Sequence, residues 1–130
     1  MPKRYINPEG FARPNGYTHV VESTGGRTIY ISGQIALDAQ GQIVGAGDMA
    51  AQTEHVFKNL QVALMAVGGG FEDVVKLTFY IADMSQIQAI RDVRDQFIDA
   101  DHCPSSTAIE VKQLVRPELL IEIDAIAVIE

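Results

Sequence analysis

The chain has no tryptophan, a single cysteine, and only ten basic residues against seventeen acidic ones across 130 positions. One cysteine, Cys103, excludes an internal disulfide and fits a reducing compartment. The shortage of Lys and Arg leaves a formal net charge of −7 at pH 7 and an isoelectric point near 4.8. Phosphate backbones are bound through basic side chains, so this balance argues against a nucleic-acid partner. The basic residues are scattered, and the close pairs Lys3/Arg4 and Arg91/Arg94 read as solvated faces. No apolar run approaches the roughly 20 residues that span a bilayer, so no membrane partner is expected. Lys3 and Arg4 are not followed by a hydrophobic stretch, which argues against a secretory signal and for a cytoplasmic protein. His19, His55 and His102 lack metal-ligand spacing, and there is no Gly-x-Ser-x-Gly elbow and no Rossmann or Walker loop. Neither a metal nor a cofactor is expected.

What is present is an ordinary globular balance, 47% hydrophobic and 21% charged, sized for one domain over residues 1–130. Residues 19–22 and 28–32 read as strands, with Gly25 and Gly26 between them to supply the positive φ of a hairpin turn. A short strand is expected at 42–44. Asp48 is placed to cap a helix reaching about Val67, with Val56, Leu60, Ala63, Leu64 and Val67 on one face. Gly68, Gly69 and Gly70 then stop it, since no Gly-Lys-Ser/Thr follows to make them a phosphate loop.

Residues 74–82 alternate, with Val75, Leu77, Phe79 and Ile81 on one face and Lys76, Thr78 and Tyr80 on the other. Ser85 and Gln88 have capping-box spacing for a second helix to about Asp99, whose stripe is Ile87, Ile90, Val93 and Phe97. Strands at 107–111 and 119–129 close the chain around a loop holding Arg116 and Pro117. The order predicts an α+β fold, a mixed β-sheet with two helices on one face. On the last strand Leu120, Glu122, Asp124, Ile126 and Val128 share the side that no helix remains to cover. That face is too apolar for water and predicts self-association.

Glu122 and Asp124 lie two apart on one strand, so their carboxylates share a face. Like charges held close in a poorly hydrated place raise at least one pKa, the usual preparation of a general acid or base. The structural alternative pairs both with Lys76, Arg116 or backbone amides. Tyr17 follows the turn Pro14, Asn15, Gly16 at the start of a strand. Gly33 lets a ligand approach the backbone closely. Ser106 and Thr107 open the penultimate strand. His102 beside Cys103 is no dyad, because adjacent side chains diverge.

Together these segments resemble the reactive-intermediate deaminase family, the YjgF-like proteins also called L-PSP endoribonucleases. The resemblance runs through Gly16 and Tyr17, then Ile31, Ser32, Gly33, Gln34 and Ile35, then Gln52 and Asn59. It continues through the segment 73–78, the segment 104–111 that Pro104 leads, and 121–128. It implies a chorismate-mutase-like fold assembled as a homotrimer, with small-molecule clefts between subunits. It also implies that Tyr17 and Gly33 line the cleft and that Glu122 positions water. In the deaminating branch an arginine two residues after the proline holds the substrate carboxylate; here that position is Ser106. A hydroxyl replaces a charge-assisted pair worth about 1.5–3 kcal/mol, or about 10–100-fold in affinity, so turnover of 2-imino acids should be weak. Arg13 and Arg116 are the candidates to compensate. Three functions follow in order: a hydrolase of imine- or enamine-like metabolites using Glu122, with Tyr17, Gly33, Ser106 and Thr107 contacting substrate; a non-enzymatic metabolite-binding module; and an endoribonuclease.

Overall fold

The computed structural model describes residues 3–130. Its main sheet has four strands in the order β3 (Arg27–Ile35), β6 (Ile121–Ile129), β4 (Val74–Ile81) and β5 (Ser105–Glu110). β6 runs antiparallel to both neighbours, whereas β4 and β5 are parallel, so the sheet is mixed. A second, two-stranded sheet joins β1 (Arg4–Ile6) to β2 (Val20–Glu22). The helices α1 (Met49–Ala66) and α2 (Ile87–Arg94) cover one face of the main sheet.

The core lies where the alternation of β6 meets these helices. Ile121, Ile123, Ala125, Ala127 and Ile129 are buried on the helix side, while Glu122, Asp124 and Ile126 are half-buried on the other. Asp48 caps α1, accepting from the Ala51 amide at 3.0 Å, and the amides of Gly68 and Gly69 close its last turn on Met65 and Leu64. Phe57 on α1 stacks on Phe97 with ring centroids 5.1 Å apart and tilts against Phe79 at 6.3 Å.

Several local expectations are corrected. No hairpin joins β2 to β3, although Gly25 and Gly26 do have positive φ of 73° and 80°. The pairing edge of β3 goes instead to nine-residue β6, and β2 pairs with β1. Residues 42–44 form no strand, contributing only the isolated bridge Leu37–Ile43. On β4 it is Val74, not Val75, that is buried, because the ladder with β6 shifts by one residue between Val74 and Lys76. Ser85 is not the helix cap. Asp83 accepts from the Ser85 amide at 3.0 Å and its hydroxyl at 2.6 Å, opening a 3-10 turn (Met84–Gln86) that leads into α2. α2 ends at Arg94 rather than near Asp99, and Phe97 enters the core from the turn beyond it.

One buried polar residue organises the approach to β6. The Gln52 amide on α1 donates to the carbonyls of Glu118 at 2.9 Å and Gly45 at 3.3 Å, and its oxygen accepts from the Leu120 amide at 2.8 Å. Gln52→Ala would leave three backbone groups unpaired in or near the core. We expect it to cost about 3 kcal/mol, read as a fall of about 10 °C in a calorimetric melting temperature.

Candidate functional site

The chemistry-bearing residues fall into two half-sites on opposite faces of the main sheet. The first is a cleft between β5 and α2. Ser106 pairs in register with buried Leu77, and Ala108 with Phe79, so both face the helix side. Phe79, Ile87 and Ile90 form an apolar floor, with Tyr17 and Ser106 beside it, around a cavity of about 280 Å³. Pockets of this size accept small metabolites.

Tyr17 reaches the cleft because its loop is fastened to the start of β5. The Thr18 amide donates to the Pro104 carbonyl at 3.0 Å, and the buried Thr18 hydroxyl donates to the Cys103 carbonyl. His19 meets the edge of Tyr17 at 5.2 Å and of Phe11 at 4.9 Å, while its Nε2 lies 2.7 Å from the Ala12 carbonyl. Gly16, at φ +74°, packs on the Arg94 guanidinium, where a Cβ would stand 2.2 Å from Arg94 Cζ. Only a glycine fits that turn.

The second half-site lies on the uncovered face. The β3–β6 ladder shifts by one residue between Ile31 and Gln34, bulging β3 at Ser32 and Gly33. The Glu122 carboxylate lies over that bulge, and a Cβ on Gly33 would stand 1.9 Å from Glu122 Oε2. Gly33 is thus approached by Glu122, and a ligand reaching its backbone meets that carboxylate. Burial, and then the charge of Asp124, push the Glu122 carboxyl above its ordinary range. The Tyr80 hydroxyl donates to Asp124 Oδ2 at 3.0 Å, which raises the Tyr80 pKa and gives Asp124 a partner. The Glu122 carboxylate has no hydrogen bond or ion pair among the described residues.

The structural alternative for these carboxylates is not what the chain adopts. Lys76 Nζ donates to the Thr107 hydroxyl at 2.9 Å, and Arg116 donates to the Gly41 carbonyl at 2.9 Å. Thr107 therefore sits on the uncovered face, away from the Tyr17–Ser106 cleft, because neighbours on a strand point opposite ways. Arg116 is likewise spoken for elsewhere, and Arg13 is exposed outside the cleft lining. Cys103 is buried, its thiol 3.4 Å from the Ala100 carbonyl, and burial raises its pKa, so it is no ready nucleophile. His102 pairs with Asp99 at 3.0 Å and is exposed, and His55 Nε2 lies 2.8 Å from the Leu37 carbonyl.

Arg91 and Arg94 do not form the solvated face expected of them. Both line the cleft, and the Arg94 side chain is only 12% exposed. Their spacing from Ile87, four and seven residues on, does put all three on one helical stripe. That signal was in the sequence, but nothing local told which way the stripe faced.

The endoribonuclease L-PSP family model matches residues 10–129. The chain is 33% identical over 127 residues to the 3-aminoacrylate deaminase RutC of Acinetobacter baylyi, covering 98% of each. It is 36% identical over 102 residues to a RutC family protein of Synechocystis, covering 78% of each. Among solved structures, the Rid family protein YyfB of Yersinia pestis superposes with a TM-score of 0.89 at 38% identity, over 99% of this chain and 100% of that one. A putative endoribonuclease of Thermotoga maritima gives a TM-score of 0.74 at 32% identity, over 98% of each. No helix among the described residues is long and apolar enough to cross a membrane. With its α+β architecture matching those structures throughout, the chain belongs to the endoribonuclease L-PSP family, the YjgF/Rid proteins.

Proposed function

We propose that this protein is a deaminase-type hydrolase of small imines or enamines, working as a cytoplasmic homotrimer of chorismate-mutase-like subunits with a cleft at each junction. The observation that carries the reading is the partnerless, partly desolvated Glu122 carboxylate poised over Gly33. The relative named 3-aminoacrylate deaminase supports the reaction class.

In the proposed step Glu122 takes a proton from water as the oxygen attacks the imine carbon, and the C=N π electrons move to nitrogen. Glu122 returns that proton to nitrogen, giving a neutral carbinolamine; as its C–N bond breaks, the hydroxyl proton passes to nitrogen by way of the Glu122 carboxylate, ammonia leaves, and the oxygen stays behind as the carbonyl. An enamine first tautomerises to its imine. Burial, and then the Asp124 charge, disfavour the ionised form of Glu122 and make it a stronger base than an ordinary carboxylate.

Within one chain Glu122 and the Tyr17–Ser106 cleft face opposite sides of the sheet, so a complete site needs the uncovered face of one copy against the cleft of the next. Tyr30, 77% exposed, and Ile109, 42% exposed, supply apolar surface for that contact. A non-enzymatic binding module is the second reading, favoured by Ser106 standing where the family's anchoring arginine would be. An endoribonuclease ranks last, given the net charge of −7.

The test follows ammonia release from imines generated in place from serine or threonine by a dehydratase, with the mass by light scattering in parallel. Ammonia release above the spontaneous rate, at three times the 14.2 kDa chain mass, is expected. Tight metabolite binding without any rate enhancement would favour the binding module instead.

A further inference from the structure

We infer that Arg91, reaching from α2, is the anion anchor of the cleft and makes it a site for small carboxylates despite Ser106. This deepens the hydrolase reading by naming the substrate class, and rests on that reading only for the reaction itself.

The cleft lining holds two guanidiniums and no carboxylate, in a chain carrying a net charge of −7. The two arginines are not equivalent. Arg94 is spent on structure: its Nε and Nη2 donate to Asp95 Oδ1 at 3.0 and 2.9 Å, and its guanidinium packs under Gly16. Arg91 is half-buried, and its guanidinium has no ion pair or hydrogen bond among the described residues. Its acidic neighbour Asp92 accepts from the Gln88 amide at 2.9 Å and lies outside the lining. A cation left without a partner beside an apolar floor is a recognition group in search of its anion.

The chemistry of the lining selects a carboxylate. A guanidinium fork matches two carboxylate oxygens, and a single unpaired arginine balances one negative charge rather than the two of phosphate. Ser106 and Tyr17 add neutral hydroxyl donors beside it, and Phe79, Ile87 and Ile90 accept a short hydrocarbon body. A guanidinium brought from the helix thus supplies what β5 does not. The carboxylate of a 2-imino or 3-enamino acid fits this description, and so does that of the oxo acid it yields.

The experiment is calorimetric titration of the assembled protein with pyruvate and 2-oxobutyrate, with the neutral amide of each and with inorganic phosphate. Binding of the acids, at least tenfold tighter than of the amides or phosphate, is expected. Arg91→Gln should weaken acid binding about 10–100-fold and leave amide binding unchanged. Arg91→Lys should fall between, and Ser106→Arg placed in the Arg91→Gln background should restore binding by supplying the guanidinium from β5. Equal binding of acid and amide, stronger binding of phosphate, or unaltered acid binding by Arg91→Gln would each overturn the assignment. Glu122→Gln separates the two proposals, because it should bind the acids normally. Acid binding through Arg91 without turnover of any imine would sink the hydrolase reading and leave this one standing.

Discussion

Replacing Glu122 by glutamine is expected to lower catalysed ammonia release by about 10²–10⁴-fold while leaving the fold intact. Glutamine keeps the size of the side chain over Gly33 and removes only its capacity to take a proton from water. The pH dependence carries a second signature. Burial first, and Asp124 second, hold the Glu122 carboxyl above its ordinary value of 4.5. A base must be ionised to act, so the acid limb of the wild-type rate profile should lie above pH 4.5. Asp124→Asn should move that limb down without bringing it fully to the ordinary value, since burial is the larger cause and stays. For stability the sign is opposite to that of a salt-bridged carboxylate. A folded-state pKa above the unfolded one favours the protonated form, so this group's contribution is present below pH 4.5 and is lost as pH rises through the raised value. Glu122→Gln should therefore flatten that decline, which thermal unfolding across pH 4 to 7 would reveal. A rate unchanged by the substitution would remove Glu122 from the chemistry.

Gly33→Ala is the second large effect, and it should separate activity from stability. The added Cβ would stand 1.9 Å from Glu122 Oε2, an impossible contact, yet the obstacle is the far end of a flexible side chain. Gly33 has no positive φ, so alanine brings no backbone strain. The carboxylate must swing away while the strand stays. Displacing a reacting group by about 1 Å costs about 10²-fold in rate, and that loss in kcat is expected with a melting temperature within a few degrees of wild type. A large fall in melting temperature, or full activity, would show that the contact between Gly33 and Glu122 has a different role.

How much of this was legible depends on whether the deciding contact was local. The helix after Asp48, its glycine stop and the inward face of β6 follow from spacing and capping, and they appear as expected. The hairpin around Gly25 did not, because turn chemistry permits a hairpin while the stronger partner for β3 was β6, at the far end of the chain. The resemblance placed Tyr17, Ser106, Gly33 and Glu122 at one site. Pairing register puts Ser106 on the helix face and Glu122, lying over Gly33, on the other, and the Tyr17 loop joins the Ser106 side. Thr107 followed Ser106 in sequence and so had to leave its face. Arg91 was illegible for a related reason: charged residues three apart on a helix look the same whether they meet water or a cleft. What decides is the Tyr17 loop, fastened to Cys103 and Pro104 across a separation of 85 residues.

The central claim is that these half-sites meet between copies, and mixing two crippled variants tests it most directly. One variant, Glu122→Gln, keeps the cleft; the other, Ala108→Trp, fills the cleft and keeps Glu122. Each homotrimer should be nearly inactive in the ammonia-release assay. Refolded together in equal amounts, they should recover about a quarter of the wild-type rate per cleft, because a ring of head-to-tail contacts then pairs an intact carboxylate with an intact cleft at about one junction in four. Mixed trimers verified by native mass spectrometry yet as inactive as their parents would contradict it.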